Sequence, residues 1–129
     1  MAFSVTQKKR ARRQALAFLK EVGIPANLKG FRPLAESIAI SAEFPDRANS
    51  LDNIMSAACK NLNMGYAYKP IFNNIDACIT KCFKRCSQAK LDEYFGTVLD
   101  PEKGSLSVHE FICTAAYIVH DKTVRMREV

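Results

Sequence analysis

Glycine and proline cut this sequence into runs whose apolar residues recur every three or four positions, and no run alternates apolar and polar residues long enough to build a strand. That punctuation restricts the chain to helices joined by short breaks. From Thr6, a plausible N-cap, to Val22 there is neither Gly nor Pro, and Leu16, Leu19 and Val22 stand at helical spacing; Gly23 and Pro25 end the run. A second helix is expected from Pro33 to Glu43 on the face of Leu34, Ile38 and Ala42, closed by Pro45. Ser50 would cap a third, Leu51 to about Leu62, with Leu51, Ile54, Met55 and Ala58 inward.

After Gly65 the spacing predicts a short helix within Asn63 to Lys69, a break at Pro70, and a long helix from Asn73 to about Ala89 capped by Asn73 or Asn74. Short helix, tight break, long helix is the outline of a helix-turn-helix. In the long helix Ile75, Cys78, Ile79, Cys82 and Cys86 make one apolar stripe, while Asp76, Thr80, Lys81, Lys84 and Arg85 lie away from it. Lys90 to Phe95 forms a further short helix ending at Gly96, and a polar turn leads to a last helix from Ser107 to about Asp121. The expected class is all-α, a compact bundle of six or seven helices in a single domain over residues 1–129, with residues 1–6 and 122–129 as flexible ends.

At 129 residues, 48% hydrophobic, the chain has material for one ordinary core. Its longest uncharged apolar-leaning stretch, Phe111 to His120, is about half of the roughly 20 residues a bilayer crossing needs. No signal peptide is visible and the five cysteines are an odd number, so reduced thiols, a cytoplasmic location and no membrane association are expected.

Nineteen Lys and Arg against thirteen Asp and Glu leave a formal charge of +6, which favours anionic partners. The excess is clustered at Lys8 to Arg13, at Lys81, Lys84 and Arg85, and at Lys122, Arg125 and Arg127. One such cluster is as readily a solvated helix face; three together favour nucleic acid.

Other constellations are weaker. Cys78, Cys82 and Cys86 would span about 12 Å along a helix, too far for one ion, and read better as small buried hydrophobes. His109 and Cys113 stand one turn apart with no further ligand at matching spacing. Asp100, Glu102, Gly104 and Glu110 resemble a calcium loop one residue short, a weak metal alternative set against a capping box in which Ser107 and Glu110 open the last helix. No nucleophile with a base, phosphate-binding glycine loop or complete metal set is present, so neither an enzyme nor a cofactor is expected.

The segment Glu21-Val-Gly-Ile-Pro-Ala-Asn-Leu-Lys-Gly-Phe31-Arg-Pro-Leu-Ala-Glu-Ser-Ile38 resembles the start of the C-terminal effector domain of the sporulation-initiation response regulators of endospore-forming bacteria, in which E-[IV]-G-[IV]-P-A-x-[IL]-K-G-[YF] precedes the second helix. Weaker similarity runs through the helix-turn-helix region to Tyr94-Phe-Gly-Thr-Val98 and Glu110-Phe-Ile112. The resemblance implies an all-helical transcription factor that binds double-stranded DNA, with homodimers on tandem sites. The receiver domain of those regulators has no counterpart in this sequence. Where their recognition helix carries arginines, this one offers Asn74, Asp76, Ala77, Thr80 and Lys81. Asn74, Thr80 and Lys81 are therefore the base-contact candidates, and Lys69, Lys84, Arg85, Lys8, Lys9, Arg12 and Arg13 the phosphate-contact candidates. The alternative is a protein-interaction module of the same fold that does not read DNA specifically.

Overall fold

The computed structural model describes residues 2–47, 49–96, 99, 102 and 104–125. Among them are six helices and no strand: α1 (Val5–Glu21), α2 (Phe31–Glu43), α3 (Leu51–Asn61), α4 (Tyr68–Arg85), α5 (Gln88–Phe95) and α6 (Val108–Arg125). The all-α expectation holds, with six helices.

Helix ends follow local chemistry more closely than the spacing alone foretold. α1 is capped by Ser4, not Thr6: the Gln7 amide donates to Ser4 Oγ, and the Ser4 amide donates to Gln7 Oε1. Its other end is a Schellman turn in which Gly23 (φ +86°) and Ile24 donate to the carbonyls of Lys20 and Leu19. α2 begins two residues before Pro33, which sits in the first turn, where its missing N–H costs nothing.

The short helix expected within Asn63 to Lys69 does not form. Asn63 takes a left-handed conformation (φ 56°), and Asn63 and Met64 donate to the carbonyls of Lys60 and Cys59, closing α3 with a second Schellman turn. α4 then starts at Tyr68, so Pro70 lies in its first turn instead of separating two helices, and Asn73 and Asn74 are interior residues, not caps. α4 stops at Arg85 because the extended Ser87 caps α5, accepting from the Lys90 amide. At α6 the Ser107–Glu110 capping box is made in both directions, at 3.0 and 3.2 Å. Phe3, ahead of α1, is buried against the His120 ring, and α6 continues through Lys122.

α2 is the central element, buried around most of its circumference and packed against α1, α3, α4 and α6. α1 and α4 each lean on both α2 and α6 and so flank that pair; their C-terminal ends converge where Gly23 meets Arg85. At that end Phe18 of α1, Phe83 of α4, Phe95 of α5 and Phe111 of α6 interlock, with ring centroids 5.2–6.4 Å apart. Tilted and edge-on contacts of this kind suit the ring quadrupoles.

Candidate nucleic-acid interface

α4 has one buried and one open side. Ile71, Ile75, Cys78, Ile79 and Cys82 point inward. At about 100° per residue, Lys69, Asn73, Thr80 and Lys84 fall within about 60° of one another on the opposite side, and all four are exposed. Asp76 and Ala77 border this strip and Lys81 lies at its edge, all exposed as well. The strip runs about four turns, or some 22 Å, enough to lie in a major groove.

The base-contact candidates do not share one situation. Lys81 is exposed and extends freely. Thr80 is exposed, but its hydroxyl donates to the Asp76 carbonyl at 3.0 Å, so reading a base requires that bond to be exchanged. Asn74 is half-buried, at the crossing where its backbone carbonyl abuts Gly30. A Cβ on Gly30 would stand 2.2 Å from that oxygen, which explains a glycine at the start of α2: the two backbones touch there. Asn73, one residue earlier, occupies the middle of the open strip. Sequence reading passed it over because the helix was expected to begin at that residue; a start at Tyr68 puts it on the open face by period alone.

Among the phosphate-contact candidates, Lys69 opens the strip in the first turn of α4 and Lys84 closes it in the last, while Arg85, about 100° further round the helix, lies off the strip beside Gly23 at the end of α1. Cationic residues at a helix C-terminus also oppose the partial negative charge of the terminal carbonyls. No side chain caps the start of α4 at Ala67, and no acid stands in its first turn.

The N-terminal candidates lie elsewhere. Lys8, Lys9 and Arg13 are exposed on α1, on the other flank of the α2–α6 pair. Arg12 is already engaged: its Nε lies 3.3 Å from Oε1 of the buried Glu36, whose Oε2 accepts from Asn61 Nδ2 at 3.1 Å. Arg10, in the same basic run, is buried and donates to the Thr123 carbonyl. Two residues of that run therefore tie α1 to α2 and to α6.

The thiols of α4 belong to the core. Burial pushes Cys78 up to about 11 and Cys82 up to about 12, so both stay protonated at neutral pH and are poor metal ligands. Among the described residues no three of His, Cys, Asp and Glu converge as a metal site. Of the calcium-loop alternative, Glu110 serves the α6 capping box, Glu102 is exposed in a turn, and Asp100 lies outside the described residues. No described helix is long and apolar enough to cross a membrane. Comparison with protein-family models, with curated proteins and with solved structures gives no match.

Proposed function

We propose that the chain is a DNA-binding transcription-factor domain in which α3 and α4 act as the two helices of a helix-turn-helix and the open face of α4 enters the major groove. The observation that carries this reading is the strip on α4: Lys69 and Lys84 bracket Asn73 and Thr80, on a helix whose opposite side is anchored in the core. Polar groups able to read base edges thus lie between cations able to hold phosphates. Asn73 replaces Asn74 as the leading adenine reader, because an Asn amide must present its donor and acceptor together to the base edge, and Asn74 is partly enclosed at the Gly30 crossing. Lys81 and Thr80 flank it, and Lys69, Lys84 and Arg85 contact the backbone. The Glu21–Ile38 resemblance to sporulation-regulator effector domains supports the same reading, including homodimers on paired sites.

The test is selection of bound duplexes from a random-sequence pool, followed by titration of the enriched site against salt. With about five phosphates neutralised, log affinity should fall with log salt at a slope of about −4.5. Asn73→Ala should relax base preference at one position while leaving the melting temperature unchanged. A pool with no enriched motif and a slope near zero would overturn the reading.

A second reading, a protein-interaction module, is favoured by one feature: Met64 and Tyr68 are exposed large hydrophobics, and Tyr68 stacks on Phe72 at 5.7 Å beside the start of the strip. In that case Lys81, Lys84 and Arg85 changed to Ala leave DNA retention unaltered, since none occurs.

A further inference from the structure

We infer that the cleft between the C-terminal end of α2, the loop that follows it and α6 is a binding site for a free α-amino acid with an apolar side chain. The inference stands apart from the reading of α4 and uses none of its residues. The cleft holds about 470 Å³, within the range of small-ligand sites. Ile40, Phe44, Pro45, Ile54 and Ala116 give it an apolar lining. It forms where α2 stops at Glu43. The Arg47 amide donates to the Phe44 carbonyl at 3.0 Å, and the Arg47 guanidinium lies over the Phe44 ring, 4.2 Å from its centroid. The Tyr117 hydroxyl donates to Asp46 Oδ1 and ties this turn to α6.

The polar groups of the lining decide the ligand class. Its charged side chains are Glu43, Asp46 and Arg47. Arg47 makes no ion pair with a carboxylate among the described residues, so its fork of N–H donors, set on Phe44, is open to a carboxylate from outside. Asp46 and Glu43 each have one oxygen engaged, by the Tyr117 hydroxyl and by the Phe3 amide, and each keeps a second oxygen that accepts from an ammonium. A plain acid would set its charge beside two carboxylates, and a plain amine would leave Arg47 unanswered. A zwitterion meets both signs. Ser41 is an independent mark of the same place. Ser37, Thr80 and Thr123 each turn the hydroxyl back to the carbonyl four residues before, whereas Ser41 Oγ is enclosed and has no hydrogen-bond partner. A hydroxyl left so is costly, and Ser41 lines the cleft, where a polar ligand atom supplies the missing partner.

The experiment titrates the full chain at pH 7 by calorimetry with L-leucine and L-phenylalanine, then with N-acetyl-L-leucine, which lacks the ammonium, and L-leucinamide, which lacks the carboxylate. At least one of the amino acids should bind with a dissociation constant below about 1 mM, and both derivatives at least about tenfold more weakly. Bound ligand should also slow iodoacetamide alkylation of Cys113, which lines the cleft, and leave Cys86, at the end of α4, unchanged. Arg47→Gln, at an exposed position, should keep the wild-type melting curve and lose at least about tenfold in affinity. No heat and no shielding of Cys113 by either amino acid up to about 10 mM overturns the inference. So does a derivative that binds as tightly as the amino acid, which would make the cleft a site for plain acids or plain amines. Shielding of Cys86 alongside Cys113, or a folded Arg47→Gln protein that binds like wild type, overturns it too. Whether the chain binds DNA is read in a separate assay and bears on α4 alone.

Discussion

Gly30 and Arg12 show how much a single position can decide here. At Gly30 the limit is space: an added Cβ would meet the Asn74 carbonyl oxygen at 2.2 Å and the Ile75 nitrogen at 2.8 Å, both backbone atoms of a regular helix that cannot move aside alone. Gly30→Ala should therefore lower stability by about 2–3 kcal/mol in urea unfolding, at the upper end of ordinary overpacking. Gly65 is the internal control, since nothing lies within 4 Å of a Cβ built there, and Gly65→Ala should be neutral within about 0.5 kcal/mol. At Arg12 the limit is charge. Glu36 is buried, and its carboxylate is satisfied by the Arg12 guanidinium and the Asn61 amide. Arg12→Ala leaves an acid enclosed with one partner fewer, whereas Arg13→Ala removes an exposed cation. A loss of about 1–2 kcal/mol for the first, reduced from the fully buried case because Arg12 is itself half-exposed, and none for the second is expected by thermal unfolding. Equal effects would mean that the ion pair contributes no stability. From sequence the two arginines are adjacent members of one basic run, and nothing local reveals that one faces Glu36, twenty-four positions away.

At the scale of elements, the apolar periods of α1, α2 and α3 and the caps at Ser50 and Ser107 were legible because they are local: hydroxyl or carboxylate, amide and period all lie within four residues. The start of α4 was not. Pro70 reads equally as a breaker and as a first-turn residue, and the choice is made by Asn63, whose left-handed turn ends α3 and leaves four residues, 64–67, to reach α4. Shifting that start from Asn73 to Tyr68 moves Asn73 from a cap to the open face. The inward stripe of α4 was foreseen and carries a consequence in pH. The Cys78 and Cys82 thiols, ordinarily near 9, are raised by burial to about 11 and about 12. A raised native value means that the unfolded chain gives up its thiol protons first, so the stability they contribute is complete below pH 9 and drains away as pH rises toward 12. Urea midpoints should be level from pH 7 to 8 and fall above pH 9, and Cys78→Ala with Cys82→Ala should flatten that fall. In parallel, a thiol reagent at pH 8 should reach Cys86 and Cys113, which are partly exposed, well before the buried Cys59, Cys78 and Cys82.

Across the whole molecule, one cluster fixes the angle at which α4 is presented. Phe18, Phe83, Phe95 and Phe111 come from four helices and meet at the end where α1 and α4 converge, while the middle of α4 is held against α2 at Gly30. α4 is thus fixed at its middle by a close backbone crossing and near its C-terminus by aromatic packing, and its solvent side is carried as a rigid surface. Such a cluster is invisible to periodicity, because its members are spread over ninety residues and each reads locally as one more apolar position. The two attachments make separable predictions. Phe111→Ala removes a fully buried ring that touches three others and should cost about 3–5 kcal/mol, lowering the melting temperature of the whole domain in one cooperative step. Phe83→Leu keeps most of the apolar volume, costs about 1–1.5 kcal/mol, and leaves the fold intact with the C-terminal part of α4 less firmly held. Under the proposed function, that milder change should weaken binding to the selected DNA site more than its stability cost explains at a temperature where the variant is fully folded, because Lys84 and Arg85 ride on the loosened end. If affinity is unchanged in a folded Phe83→Leu protein, the aromatic cluster serves stability alone and the position of α4 is set at the Gly30 crossing.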